Sequence, residues 1–307
     1  MKLSSILSKA REIAGYERYK YRVDHCPQKI IDLIWQREYG YKIDWNNPKD
    51  LNEKIQWLIC FGDTSNWPLL ADKYRVREYV AKKGLSELLP ELYGVWSDAR
   101  DIDFTKLPEK FILRCNHDSG STYIIDQSTE YDKEAIIIDL NKHLKKKYGY
   151  AFCEPHYNLI KPRVIAQEFL NSNTDSFSTQ LVDYRVWCFH GKPYSIWVDY
   201  YPDNYRETHH KNIDVYDLNW NHHPEFESFS KRYQDGGGIV PRPENLSEML
   251  DAAQILSENL PEARIDFYIV NGQLYFGEIT LTSNRGRITH FTKEYLLELG
   301  NQIKLPL

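Results

Sequence analysis

Helical periodicity opens the chain. Leu3, Ile6, Leu7 and Ala10 share one helical face, with Lys2, Lys9 and Arg11 elsewhere. This predicts a solvated helix packing on the body of the protein, with docking to a membrane-bound assembly as the alternative. "PQKIIDLIWQREYG" and "LNEKIQWLICF" read as two further helices, separated at Asn46, Asn47 and Pro48. "ADKYRVREYVAKKG" is again helical in period, and Gly84 is its stop signal. The pattern then changes. "LLPELYGVW" has strand character, and Phe111 to Cys115 and Thr122 to Ile125 read as strands around a Gly/Ser loop. Residues 130–147 predict a helix ending in "KHLKKK", whose lysines suit the helix macrodipole. "PRVIAQEFL" reads as a buried strand, and "TQLVDYRVWCFHGKPYSIWVDYY" as a hairpin about His190-Gly191-Lys192. Residues 201–245 are polar with little periodicity, a length that marks a functional or mobile segment. "NLSEMLDAAQILSENL" predicts a capped amphipathic helix. There is no internal repeat. Helices, then a strand–loop–strand unit, then a mixed second half indicate an α+β fold rather than a regular parallel sheet.

The last alternating pair of runs, "EARIDFYIVNGQLYFGEIT", is the most informative. Asn-Gly between them is a strong hairpin signal. A two-residue loop, Asn271-Gly272, would set Asp266 opposite Gly277. A three-residue loop that includes Gln273 would set Asp266 opposite Glu278, Tyr268 opposite Phe276 and Val270 opposite Leu274. Facing carboxylates repel, and a divalent cation between them relieves the repulsion. Two exposed acids on an edge hairpin are the competing reading, and spacing alone does not separate the two.

Composition narrows the field. The chain has 307 residues, 42% hydrophobic and 27% charged, with a net charge of −5. That balance is ordinary for a globular protein and argues against nucleic-acid partners. Cys26, Cys60, Cys115, Cys153 and Cys188 are odd in number and widely spaced, with no CxxC. A disulfide framework or zinc site is disfavoured, and a reducing cytoplasm is the expected home. No apolar run reaches the length of a membrane span. The 23 Tyr, 12 Phe and 8 Trp suit grooves for sugars or flat ligands, although cores and interfaces use them equally.

Other stretches carry weaker chemistry. "FILRCNHDSGSTYII" could wrap phosphate oxygens with backbone N–H groups, Arg114 adding a cation, but it matches neither GxxxxGK[ST] nor GxGxxG. An ordinary hairpin turn is the better reading of it in isolation. "IAQEFL" ends in Gln167-Glu168, where a strand end can present backbone groups to adenine. Asp183 and Arg185 could be a surface cross-strand pair or a phosphate contact. "DID" at 101–103 fits a glycosyltransferase metal motif but reads better as a solvated turn. His209-His210 and His222-His223 read as loop or substrate-contact residues rather than metal ligands.

In order along the chain, "LADKYRVREYV", "LPEKFILRCNHDSGS", "IAQEFL", "VDYRVWCFHGKP" and "ARIDFY…YFGEIT" resemble the ATP-grasp ligases, and within them the TupA-like group linked to bacterial surface polysaccharide synthesis. The resemblance runs from about residue 46 onward and includes "NNPKDLNEKIQWL". It implies an ATP-grasp fold in which two α+β subdomains clasp ATP. The divisions it implies are 1–70 as an N-terminal helical region, 71–170 as the first subdomain with a phosphate loop at 114–122, and 171–307 as the second with a metal hairpin at 264–280. Position by position, Lys73 matches a phosphate-binding lysine. Arg114 stands where most relatives carry another lysine. His117, Ser119, Gly120 and Ser121 fall in the phosphate loop. Gln167, Glu168, Phe169 and Leu170 match the hinge that meets adenine. Asp183 and Arg185 match a "DxR" pair near substrate and phosphates. Arg264 matches an arginine that stabilises a developing oxyanion, and with Lys73 and Arg185 forms the implied catalytic set. Asp266 and Glu278 match Mg²⁺ ligands. Thr280 stands where many relatives carry a third ligand, Asn, and Asn284 follows further on.

The implied activity is ATP- and Mg²⁺-dependent amide formation through an acylphosphate. It would join an amino acid or other amine to a uronic acid or amino sugar in capsule or O-antigen synthesis. The implied location is cytoplasmic, allowing a peripheral position at the inner membrane, and a homo-oligomer is compatible with it. A glycosyltransferase, or a non-catalytic carbohydrate-binding protein retaining the fold, is the rival expectation.

Overall fold

The computed structural model describes residues 3–171, 177–229 and 232–306, with side chains described from residue 14. The first helix runs Leu3–His25, but the apolar face expected on Leu3, Ile6, Leu7 and Ala10 lies outside the described side chains. Among the described residues ten strands form two sheets. The first contains β1 (Leu92–Trp96), β2 (Lys110–Cys115), β3 (Tyr123–Asp126) and β4 (Val164–Glu168), in the order β1-β4-β2-β3 and antiparallel throughout. The second contains β5 (Asp183–Phe189), β6 (Lys192–Tyr200), β7 (Lys211–Tyr216), β8 (Tyr233–Asp235), β9 (Glu262–Val270) and β10 (Gln273–Thr280). Its order is β10-β9-β5-β6-β7-β8, with only β7 and β8 parallel. The α+β expectation holds. Among the described residues no helix is long and apolar enough to cross a membrane.

Two cores form. Helix Lys133–Leu144 packs on the first sheet through Ile136 and Leu140. The N-terminal helices share their core with the second sheet, where Trp35, Leu51 and Ile55 join Trp187, Phe267 and Leu299. The helix Leu51–Phe61 and the segment after β10 meet there. Asn52 donates to the carbonyl of Ile288 (3.0 Å) and accepts from its amide (2.8 Å). Asp50 starts helix Leu51–Phe61 by accepting from the amide of Glu53 (2.8 Å), satisfying a donor that a helix start leaves open.

Three local expectations change. The helix expected over 130–147 ends at Leu144. Asn245 begins helix Leu246–Leu256 without capping it; its amide donates to Glu248 instead (2.9 Å). The stretch 201–245 contains β7, which its sequence hid. Ile213, Asp214, Val215 and Tyr216 are all buried, and a strand covered on both faces loses the alternation that betrays it.

The hairpin β9–β10 departs from both registers considered. Gln273 pairs with Val270, Tyr275 with Tyr268 and Phe276 with Phe267, so the loop is the two-residue Asn271-Gly272 turn. Both turn residues have positive φ (52° and 77°), as a tight hairpin requires. The expected pairs Tyr268–Phe276 and Val270–Leu274 do not form. A bulge at Gly277 then advances the register by one, so Glu278 pairs with Asp266 and Thr280 with Arg264. The carboxylates face each other because of the bulge, not a longer loop. Gly277 has little room to change: a Cβ there would lie 2.9 Å from the carbonyl oxygen of Asp266 and 3.0 Å from the Tyr268 ring. Gly277→Ala is expected to cost about 1–3 kcal/mol in urea unfolding, because a closely packed site relaxes poorly around added atoms.

Candidate active site

Alternation along the second sheet brings charge onto one face. Arg185 pairs with Asp266 and Trp197, Asp183 with Asp199, and Glu278 with Asp266. These partners point the same way. Arg264 forks onto Asp266, its Nε 2.7 Å from Oδ1 and its Nη2 2.6 Å from Oδ2. The same guanidinium donates to Thr280 (3.2 Å), Ser283 (3.2 Å) and Glu278 (3.4 Å). Thr280 in turn donates to Glu278 (2.8 Å). Arg185 lies 2.8 Å from Asp199, 3.0 Å from Asp183 and 3.6 Å from Asp266, with its guanidinium 4.5 Å over the Trp197 ring. Lys211 completes the set, 2.7 Å from Asp199.

The opposite wall carries Lys73 and Arg114. The amide of Lys73 bonds to the carbonyl of Asn116 (3.1 Å), and its ammonium to that of Asp118 (2.8 Å). The loop base is braced internally. Asn116 donates to Asp72 (2.8 Å), and Asp118 accepts from Ser121 (2.5 Å) and bonds to His143. The Ser121 hydroxyl also accepts from the amide of Cys115 (3.0 Å). Ser121 and the buried His117 are therefore parts of the loop's frame, and its exposed tip is Ser119-Gly120. Gly120 has φ +94° with open space around it, so its backbone amide region stays accessible. Arg114 donates to Gln167 (2.8 Å), while its Nε is buried with no partner among the described residues. An unpartnered donor on a half-buried cation is what an anionic ligand would satisfy.

Between the sheets lies a cavity of about 400 Å³. Ile112, Ile124, Phe169 and Leu170 give it an apolar wall, and Asp183 and Tyr268 face them. Its size and lining suit a flat ligand. Glu168 does not line it. Its carboxylate accepts from the amide of Glu91 (3.0 Å) and its own amide bonds back to Glu91 (2.9 Å), so this residue ties the end of β4 to the start of β1.

Burial and charge divide the carboxylates. Burial pushes Asp266 up to about 6, against the pull of Arg264 and Arg185. Burial acts on Glu278 too, but Lys73 and Arg264 outweigh it and hold that carboxyl below its ordinary value. The Glu278 side chain is 43% exposed, so solvent screens this attraction and leaves the group reachable. Burial, reinforced by Asp199, raises Asp183; Asp199 itself is held low by Arg185 and Lys211 against burial. Burial also lowers the Lys73 ammonium.

The structure thus gathers Lys73, Arg114, Gln167, Asp183, Arg185, Arg264, Asp266, Glu278 and Thr280 around one cleft. Asn284 is not with them: it is exposed and donates to the carbonyl of Arg287 (2.8 Å), where a 3₁₀ turn carries it away from the sheet. Asp101 and Asp103 form no joint site, since Asp103 accepts from the amide of Thr105 (3.2 Å) and pairs with Lys106 (3.3 Å). Sequence reading missed Asp199, Trp197, Lys211 and Tyr268. Asp199 did leave a signal, a lone carboxylate inside the apolar run "SIWVDYY".

The sequence profile of the TupA-like ATP-grasp family matches residues 53–304. No functionally curated protein matches the chain. Among solved structures, D-alanine–D-alanine ligase from Bacillus anthracis complexed with ATP is 14% identical, with a TM-score of 0.42, covering 85% of this chain and 65% of that one. The ATP-grasp ligase PsnB with Mg and ADP, bound to a variant of its minimal precursor, is 13% identical, with a TM-score of 0.42 and coverages of 78% and 60%. Phosphoribosylamine–glycine ligase from Thermotoga maritima is 13% identical, with a TM-score of 0.40 and coverages of 69% and 48%. The chain therefore spans less than two thirds of the length of these structures.

Proposed function

The chain belongs to the TupA-like ATP-grasp family, and on that premise we propose that it is an ATP-dependent ligase joining a carboxylate to an amine. The observation that supports this most is the pairing of Asp266 with Glu278 across the bulged hairpin, with Arg264 bonded to both. In this reading residues 71–170 and 171–307 are the two lobes that hold the nucleotide. The base lies against Ile112, Ile124, Phe169 and Leu170, and the phosphates lie toward Lys73 and Arg114. Asp266 and Glu278 offer hard oxygen donors of the kind Mg²⁺ takes, with Thr280 beside them. Both Asp266 oxygens are held by Arg264, so Glu278 is the more open of the two. Bound Mg²⁺ would supply neutralisation of phosphate charge.

The substrate acid would take the γ-phosphoryl group to give an acylphosphate. Attack by an amine would form a tetrahedral species, and phosphate would leave. Arg264 and Arg185, fixed by their carboxylate partners, are placed to stabilise charge that develops in these steps. No covalent protein nucleophile is needed. The acid would be sugar-linked, such as a uronic acid, and the amine an amino acid or amino sugar of surface-polysaccharide synthesis. A second cavity of about 450 Å³ beside Lys211, lined also by Tyr205, His209, Arg232 and Tyr233, supports this: cations and aromatic faces suit a carboxylated sugar.

The test is ADP release with panels of acids and amines, followed by mass analysis of the product. ADP should appear only with a matched pair, and the product should weigh acid plus amine less one water. Failure of every pair to release ADP, together with unchanged surface polysaccharide in a strain carrying Asp266→Asn, would sink the reading. A pH dependence follows as well. Metal binding needs Asp266 ionised, and its carboxyl sits at about 6. Measured kcat/KM for MgATP should therefore fall as pH drops through about 6, in steady-state assays from pH 5 to 8.

A further inference from the structure

A second charged cluster lies on the other face of the same sheet. Asp214 pairs with Val198 on β6, and the neighbouring pair is Ile213 with Asp199. Successive residues of a strand face opposite ways, so Asp214 points away from the cleft that holds Asp199 and Arg185. Four ligand-type atoms, one each from Asp214, His222, Glu227 and Asp235, lie within 4.8 Å of one another. His222 Nε2 is 3.3 Å from Asp214 Oδ1 and 3.1 Å from Glu227 Oε1. Ligands of a tetrahedral ion with bonds of 2.0–2.1 Å stand about 3.3 Å apart.

Three further features belong to a site rather than to a chance cluster. Glu227, only 6% exposed, keeps a buried Oε2 with no partner among the described residues. The backbone aims the other oxygens: the Val215 amide donates to Glu227 Oε1 (2.8 Å), the Gly238 amide to Asp214 Oδ1 (3.0 Å), and the Tyr216 hydroxyl to Asp214 Oδ2 (3.2 Å). Finally, the glycine run wraps the cluster closely. A Cβ at Gly236 would lie 2.4 Å from Asp214 Oδ1, and one at Gly238 2.5 Å from His222 Nδ1. Among the described residues the ion pairs of Asp214 and Glu227 are both with His222, so three carboxylates gather around one imidazole.

We propose that Asp214, His222, Glu227 and Asp235 bind a divalent transition-metal ion, separate from any ion at Asp266 and Glu278. One imidazole nitrogen among carboxylate oxygens favours Zn²⁺ or Mn²⁺ over Mg²⁺. Four protein ligands make the site structural. It staples His222, Glu227 and Asp235 to β7, the strand that carries Lys211 into the active cleft. It also fixes Tyr233, whose ring lies 5.9 Å from that of Trp197 beneath Arg185.

The experiment uses full-length protein stripped with EDTA and kept free of nucleotide. ZnCl₂ and MnCl₂ are titrated by calorimetry and by thermal unfolding. The expected result is one equivalent bound and a raised unfolding midpoint. His222→Gln and Asp235→Asn should each weaken binding by at least about tenfold, while Asp266→Asn should retain it. Asp235 is exposed, so its variant decides the matter even if His222→Gln does not fold. Lack of stoichiometric binding by the unmodified protein would overturn the proposal, leaving shared protons to hold the cluster. Unchanged affinity in Asp235→Asn, or lost binding in Asp266→Asn, would overturn it equally.

Discussion

Asp266→Asn is expected to slow MgATP-dependent ADP formation by at least about 10²-fold while leaving the fold intact. The substitution keeps size and shape but removes a charge that Arg264 grips with two bonds and that faces Glu278 across the strand pair. Loss of one preorganised charged contact at a reacting phosphate is worth several kcal/mol. The effect should lie mainly in kcat/KM for MgATP, measured by coupled ADP release, with circular dichroism confirming the fold. Glu278→Gln should follow the same direction. Near-normal turnover of Asp266→Asn would remove the hairpin from the chemistry altogether.

The largest stability effect is expected at Arg185. Its guanidinium holds three carboxylates, Asp183, Asp199 and Asp266, and Asp199 is completely buried. Arg185→Met should cost about 3–5 kcal/mol in urea unfolding at pH 8, because it strands buried charge without a partner. Arg185→Lys should recover only part of this, since a compact ammonium cannot span three partners as a planar fork does. Adding Asp199→Asn to Arg185→Met should restore some stability, and the resulting coupling measures their interaction directly. Independent, additive losses would mean that the network is not one unit.

Much of the site was legible beforehand because its parts are local in sequence. A strand that carries Arg264 and Asp266, a tight turn, and a return strand that carries Glu278 announce themselves through alternation and Asn-Gly. The detail of their meeting was not legible. A single bulge at Gly277 changes facing partners without changing a residue type, and a glycine in a strand has several other meanings. The exposure of Asn284 has a related reason. Its sequence distance from Glu278 is short, but Asn284 and Arg285 both take positive φ and turn the chain away. His222 was read as a loop or substrate-contact residue rather than a metal ligand because Asp214, Glu227 and Asp235, which gather around it, come from three separate stretches of the chain.

Most of the element order, the α+β class, the apolar strand β4 and a hairpin carrying Asp266 on one strand and Glu278 on the other follow from periodicity and residue type, which act over a few residues at a time. Four things were decided only by the tertiary structure: the bulge, the gathering of Asp183, Asp199, Arg185 and Lys211 on one face, the core that the N-terminal helices share with the second sheet, and the histidine–carboxylate cluster behind it. The physical reason is common to them. Residues distant in the chain meet in them: buried Asp199 is made tolerable by Arg185 and Lys211 from two other strands, and no short stretch of sequence shows which segments will meet.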